Sequence, residues 1–279
     1  MNVASSKDHR IWLVFLAFVL APAAVLAGGA ELVANVPAKI NHDSYDRLLR
    51  KYVDIRGLID YEGWKQNGRD LALLDDYLRQ FARRGHPARG RERQASLING
   101  YNAFVIRWVL QNFPVESIWR TDKPFVKMRH EVNGTLVSLD EIEKESLIPL
   151  IGWKAHAVLV CAARSCPPLR RYAYRSDRID EQIARALRVW LGRRDLNNYL
   201  PEKNRVEISP IFKWYSVEYV PPTCDVRKIL EKFGPREFKK FLGGDDYKIK
   251  YKAYDWGLND QGSEGKGYSR IELLWDNFF

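Results

Sequence analysis

Apolar positions in the first third of the chain recur with helical spacing. DSYDRLLRKYVD (43–54) puts Leu48, Leu49, Tyr52 and Val53 on one face, with Asp43 as the cap. GLIDYEGW (57–64) is short and strand-like, and RDLALLDDYLRQFARR (69–84) is a second amphipathic helix. A basic loop, RGHPARGRER (84–93), leads into RQASLINGYNAFVIRWVLQNF (93–113). There Leu97, Ile98, Tyr101, Phe104, Trp108 and Val109 follow helical spacing, and Ala103, Val105, Ile106 and Leu110 fill much of the remaining circumference. A helix apolar nearly all round is a buried helix. Asn99 and Asn102 interrupt it on one face, and Gly100 between them costs about 1 kcal/mol relative to Ala. Buried amides need partners, so the two asparagines either tie the helix to neighbouring backbone or serve a site.

Further along, the pattern alternates between periods. FVKMRHEVNGTLVS (125–138) reads as a hairpin around Asn133-Gly134, the favoured two-residue turn. Ser138 and Glu141 form a capping box for the helix LDEIEKESL (139–147). HAVLV (156–160) is a strand by its β-branched apolar run, and Asp177 caps RIDEQIARALRVWL (178–191), whose Ile179, Ile183, Leu187 and Trp190 form the inner face. RVEIS (205–209) is a short strand, and PIFKWYSVEY (210–219) opens a helix with Pro210 in its first turn. VRKILEKF (226–233) and PREFKKFL (235–242) are helical, and YKIKYKAYDW (247–256) is a strand. Helices and short strands mix without regular βαβ alternation. That predicts an α+β fold, a single domain with a buried central helix packed on a mainly antiparallel sheet.

The amino-terminal segment has different chemistry. Lys7 and Arg10 precede the apolar residues 11–27, which end in small residues and are broken by Pro22. That layout predicts a signal peptide over residues 1–27, and the run falls short of the ~20 residues that span a bilayer. Export to the periplasm or the extracellular space follows. The alternative is an uncleaved amino-terminal anchor, with membrane contact through this segment only. Residues 28–260 make the domain, with core motifs about 94–220 and the carboxy-terminal strand at 247–257, and residues 261–279 make a Gly/Ser-rich linker and an apolar tail. With 46% hydrophobic residues and nine tryptophans the chain is expected to fold, and its formal net charge of +10 suits an anionic envelope ligand or simply solubility. Nucleic acid is not an expected partner of an exported chain. Cys161, Cys166 and Cys224 are three, an odd count, in a compartment that permits disulfides. A lone cysteine pair without clustered histidines is a poor zinc signature, so no metal and no cofactor are expected.

Five ordered blocks carry a family likeness: INGYNAFVIRWVLQNFPVESI, FVK followed by VSLDEIE, HAVLVCAARSCPPLRRYAY, SPIFKWY and YDWGLND. Together they resemble the domain of unknown function family 547, in its bacterial exported form, over roughly Asn41 to Asp260. The chain departs from that pattern at Gly100, where the family commonly has Ala, and at Lys144, where it often has His. The membership implies no established reaction. The 99–115 helix also resembles the nucleophile helix of transglutaminase-like, papain-type thiol enzymes, and HAVLV resembles their histidine-bearing strand. That resemblance aligns His156 with the catalytic histidine and puts Asn99 in the cysteine position, where an amide offers no thiolate.

Three readings of the 156–169 loop stand side by side: a Cys161–Cys166 disulfide, inert buried thiols, or a reactive thiol. On a straight strand His156 and Cys161 point to opposite faces. In the reactive case Cys161 is the nucleophile, His156 or His130 the general base, and Asn99 or Asn102 the group that orients the base or holds an oxyanion. Tyr101, Ser165 and Asp255 are secondary candidates. The function is then thiol-dependent acyl transfer or amide hydrolysis on a peptide or acyl substrate. The alternative is a non-catalytic domain that kept the cleft and binds an envelope ligand.

Overall fold

Fourteen-residue and longer helices set the frame, and the longest of them organises the rest. The computed structural model describes residues 34–219, 225–244 and 246–263; the predicted signal peptide, Cys224 and nearly all of the predicted tail lie outside them. Helix α1 (Asp43–Tyr52), α2 (Tyr61–Gln66), α3 (Gly68–Ala82) and α4 (Gly90–Asn112) follow in order. A hairpin of β1 (His130–Val132) and β2 (Thr135–Val137) leads to α5 (Leu139–Glu141), a π-helical turn over Ile142–Leu147, and α6 (Ile148–Ile151). After a 3₁₀ segment, Gly152–Ala157, and a long irregular stretch come α7 (Ile179–Gly192), β3 (Asn198–Leu200), β4 (Arg205–Ile208), α8 (Ile211–Trp214), α9 (Val226–Phe233), α10 (Lys239–Leu242) and β5 (Lys248–Tyr251). The fold is α+β, as the mixed periodicity predicts.

The sheets are small. β1 and β2 pair antiparallel, with Asn133 and Gly134 at φ 51° and 79° in the turn, the positive-φ pair that hairpin twist demands. β4 pairs antiparallel with β3 and parallel with β5. Such short strands cannot cover a helix that is apolar all round. α4 instead packs chiefly against α2, α3, α7 and the π-helical turn, so its burial comes from helices on several sides rather than from one sheet face.

The predicted strand at HAVLV does not form. His156 and Ala157 end the 3₁₀ segment, and the chain then runs irregularly. The reason is a substitution of partners. The Val158 carbonyl and the Val160 N–H, which a strand would give to a neighbouring strand, both bond to the Asn102 amide, at 2.8 and 3.0 Å. Buried backbone needs its hydrogen bonds but not a particular source of them. Smaller differences concern caps. Asp43 is the first helical residue of α1 and Asp177 does not cap α7. In GLIDYEGW only Ile59 makes bridges, to Val53 and Asp260, and Asp60 then caps α2 through the Gly63 N–H. The Ser138–Glu141 capping box forms as its residues require.

Gly100 has a packing explanation. A Cβ built there would lie 2.6 Å from Cε1 of Phe81, a ring fixed edge-on against Tyr77 and Phe104. Gly100→Ala should therefore lose stability despite its gain in helix propensity. The expected loss is about 1–3 kcal/mol, the usual cost of overpacking, measured by urea unfolding. Phe81→Leu in the same chain should recover part of it; a Gly100→Ala chain as stable as the parent would refute the packing account.

Candidate functional site

The two asparagines of α4 act on backbone. Asn99 takes the Tyr174 N–H (2.8 Å) and gives to the Tyr174 carbonyl (2.9 Å). Asn102 does the same for Val158 and Val160. Each amide thus spends both its functions on a passing segment, and these ties set where His156 and Cys161 lie. Neither asparagine is among the residues that line the cavity described next.

That cavity, of about 400 Å³, is walled by Tyr101, Trp119, Phe125, Trp214, Tyr254 and Trp256, with Glu143, His156, Cys161 and Cys166 in its lining. The aromatic wall is a connected cluster. Trp214 stacks on Trp256 at 5.5 Å, Tyr254 packs on both, and Trp119 meets Trp256 edge-on. Rings of this kind supply large apolar faces with few rotatable bonds.

His156 is 5% exposed and lies between two carboxylates. Its Nε2 is 3.1 Å from both oxygens of Glu218, and its Nδ1 is 3.5 Å from Glu143 Oε1. Tyr215 stacks on the ring at 3.8 Å, and the Tyr101 hydroxyl donates to Glu143 at 3.2 Å. Burial pushes the imidazole toward its neutral form, but the hydrogen bonds and charges of Glu143 and Glu218 outweigh it and raise the pKa to about 9. At neutral pH the ring is an imidazolium with both N–H groups engaged. Glu143 and Glu218 sit on opposite ring nitrogens, so the three do not converge on one point, and among the described residues no His/Cys/Asp/Glu group could hold a metal ion.

Cys161 and Cys166 are bonded to each other, with their Cα atoms 6.3 Å apart. The Tyr254 hydroxyl lies 3.3 Å from each sulfur. The residues between the cysteines are zipped to the carboxy-terminal segment. Arg164 N donates to Gly257 O, Ser165 N to Asp255 O, and Asn259 N to Ala162 O. Ser165 and Asp255 belong to this zipper: the Ser165 hydroxyl accepts the Asp255 N–H, and the Asp255 carboxylate accepts the Gly257 N–H. His130 is remote in role. It stacks on Phe104, and burial lowers its pKa to about 4.

The structure therefore brings Tyr101, His156 and Cys161 into one cavity and assigns Asn99, Asn102, Ser165 and Asp255 to backbone ties. The sequence reading assigns no site role to Glu143, Glu218, Tyr215 or Tyr254. The signal in WYSVEY is a carboxylate crowded among aromatics, and in YDW the sequence points to Asp255 rather than to the Tyr254 beside it.

The raised pKa of His156 has a definite sign. The folded value lies above the ordinary 6.5, so its contribution is fully present below about pH 6.5 and is lost as pH rises through about 9. The shift corresponds to at most roughly 3 kcal/mol. His42 and His130, both lowered to about 4 by burial first, act oppositely: their contribution is present above about 6.5 and fades as pH falls toward 4. Unfolding measured from about pH 6 to about pH 10 should show an alkaline decline that His156→Gln flattens. A decline unchanged in that variant would contradict the charged sandwich.

No curated protein and no solved structure gives a significant match to the chain. Against that background, the one positive comparison agrees with the motifs that run from α4 through the cysteine loop to α7: residues 88–191, which carry Asn99, Asn102, Glu143, His156 and the disulfide, match the family described as Protein of unknown function, DUF547.

Proposed function

We propose that this protein is an exported ligand-binding domain that holds a peptide or acyl ligand in the aromatic cavity beside the disulfide. One observation carries the reading: the two groups a thiol mechanism needs are both engaged. The Cys161 sulfur is bonded to Cys166, and both ring nitrogens of His156 face carboxylates. A bonded sulfur is not a nucleophile, and an imidazolium held by two carboxylates has no lone pair with which to take a proton. What remains is a pocket with flat apolar walls and a polar pole, the general form of a small-molecule site.

The polar pole limits the ligand. Glu143 and Glu218 exceed the charge of His156 by one, Lys123 in the lining makes up the difference, and Asp140 pairs with Lys144 at 2.9 Å. A site whose charges are mutually neutralised favours a ligand with hydrogen-bonding groups and little net charge, laid against Trp214, Tyr254 and Trp256. The disulfide also supports an oxidising compartment, in keeping with the amino-terminal segment read as a signal peptide.

Intrinsic tryptophan fluorescence is a direct readout, since three tryptophans line the cavity. Titration with short peptides and acyl amides should identify a binder. Glu143→Gln and Tyr101→Phe, both at residues of the lining, should each weaken it about tenfold, the cost of one hydrogen bond to a charged group. Cys161→Ser with Cys166→Ser should retain binding, and alkylation without reductant should leave Cys161 unlabelled. Turnover of an amide or ester that Cys161→Ser alone abolishes, with Cys161 labelled in unreduced protein, would overturn the reading in favour of thiol catalysis.

A further inference from the structure

A second cavity, of about 600 Å³, lies between α1, the Asp54–Ile55 turn, the 169–178 stretch and α7. Six arginines line it: Arg50, Arg170, Arg171, Arg175, Arg178 and Arg185. Only Asp46 and Asp54 oppose them in the lining, and both are already committed to structure. Asp46 accepts the Ala173 N–H and the Arg50 guanidinium, at 2.9 and 2.7 Å. Asp54 accepts the N–H groups of Arg56 and Leu58, both at 2.9 Å.

The arginines are less well provided for. Arg175 pairs with Asp43 at 2.6 Å, and Arg178 lies 3.7 Å from Glu181. Arg171 donates to the Arg50 carbonyl, an uncharged acceptor. Arg185 has no ion pair among the described residues. Arg170 packs over Tyr172, and its Nε is buried with no hydrogen-bond partner. A buried guanidinium nitrogen without an acceptor is costly. A cavity that collects several guanidinium groups, one of them short of an acceptor, is complementary to an anion with several oxygens.

We propose that this cavity binds a headgroup carrying two or more phosphates, free in solution or presented at a lipid surface. Guanidinium forks match phosphate oxygens in pairs. The volume is that of an organic ligand site rather than of a single small ion, and the separation of arginines on α1, the 169–178 stretch and α7 asks for more than one anionic group. At the rim, Ile55 is 84% exposed, an apolar side chain placed where a lipid's acyl region would begin. This site is independent of the aromatic cavity, and neither reading depends on the other.

Calorimetric titration of the whole protein with inorganic pyrophosphate and with inorganic phosphate tests it. Pyrophosphate should bind saturably and more tightly than phosphate. Arg185→Gln and Arg170→Gln should each weaken it about tenfold, while Arg79→Gln, an equal change of charge on α3, should leave it unchanged. Arg185 is exposed, so its variant keeps the test valid if Arg170→Gln folds poorly. Co-sedimentation with phosphatidylcholine vesicles that contain cardiolipin, whose headgroup carries two phosphates, separates the two sources. Vesicle binding that pyrophosphate displaces and Ile55→Ser weakens assigns the lipid headgroup; no vesicle binding assigns the free solute. Absence of saturable pyrophosphate binding, or equal loss in Arg79→Gln and Arg185→Gln, would overturn the proposal.

Discussion

Two amides inside an apolar helix hold this structure together. α4 is buried along most of its length, and a helix so placed has no water to satisfy polar side chains. Asn99 and Asn102 meet that requirement by binding backbone on either side of the cysteine loop. Each behaves like a short piece of neighbouring strand, offering one donor and one acceptor at fixed spacing. The chain segments they capture, around Val158–Val160 and Tyr174, need no sheet of their own. The site follows from this, because His156 and Cys161 flank the captured segment. A polar residue in a core helix is normally a cost to be explained; here it is the device that lets irregular chain run through the interior.

A second constraint acts on charge. His156 is almost inaccessible yet ionised, and it is tolerable only because Glu143 and Glu218 reach it from two different parts of the chain. Glu143 sits on a π-helical turn, a wide turn that recurs at functional sites. Glu218 comes from the segment after α8. The cluster therefore ties two distant segments to the 3₁₀ segment that bears the histidine, and it places a charged pole at one end of the aromatic cavity.

Much of the fold was legible in the sequence where local signals suffice. The α4 periodicity, the Asn133-Gly134 hairpin and the Ser138–Glu141 capping box all depend on residues a few positions apart, and all three form. HAVLV misled because β-branched apolar residues report burial as strongly as strand; what decided its conformation was Asn102, more than fifty residues away. The site was half legible for the same reason. His156 and the cysteines stand out by type, but Glu218 and Tyr254 gain meaning only from who their neighbours are. The two asparagines were visible as anomalies, and the choice between a backbone tie and a site could be made only with Tyr174 and Val158 in view.

The zipper between the cysteine loop and residues 255–259 bears on the order in which the molecule can assemble. The disulfide closes a ring of a few residues and can form from local encounters alone. The cavity beside it cannot, since its wall needs Tyr254 and Trp256 from the far end of the domain and Tyr101 from α4. A growing chain carries its cysteine loop for the whole interval before those rings arrive, with the tryptophans already made lacking their final partners. Long-range closure of this kind slows folding. It makes the last described residues, rather than the first, the step that converts a collapsed chain into one with a formed pocket.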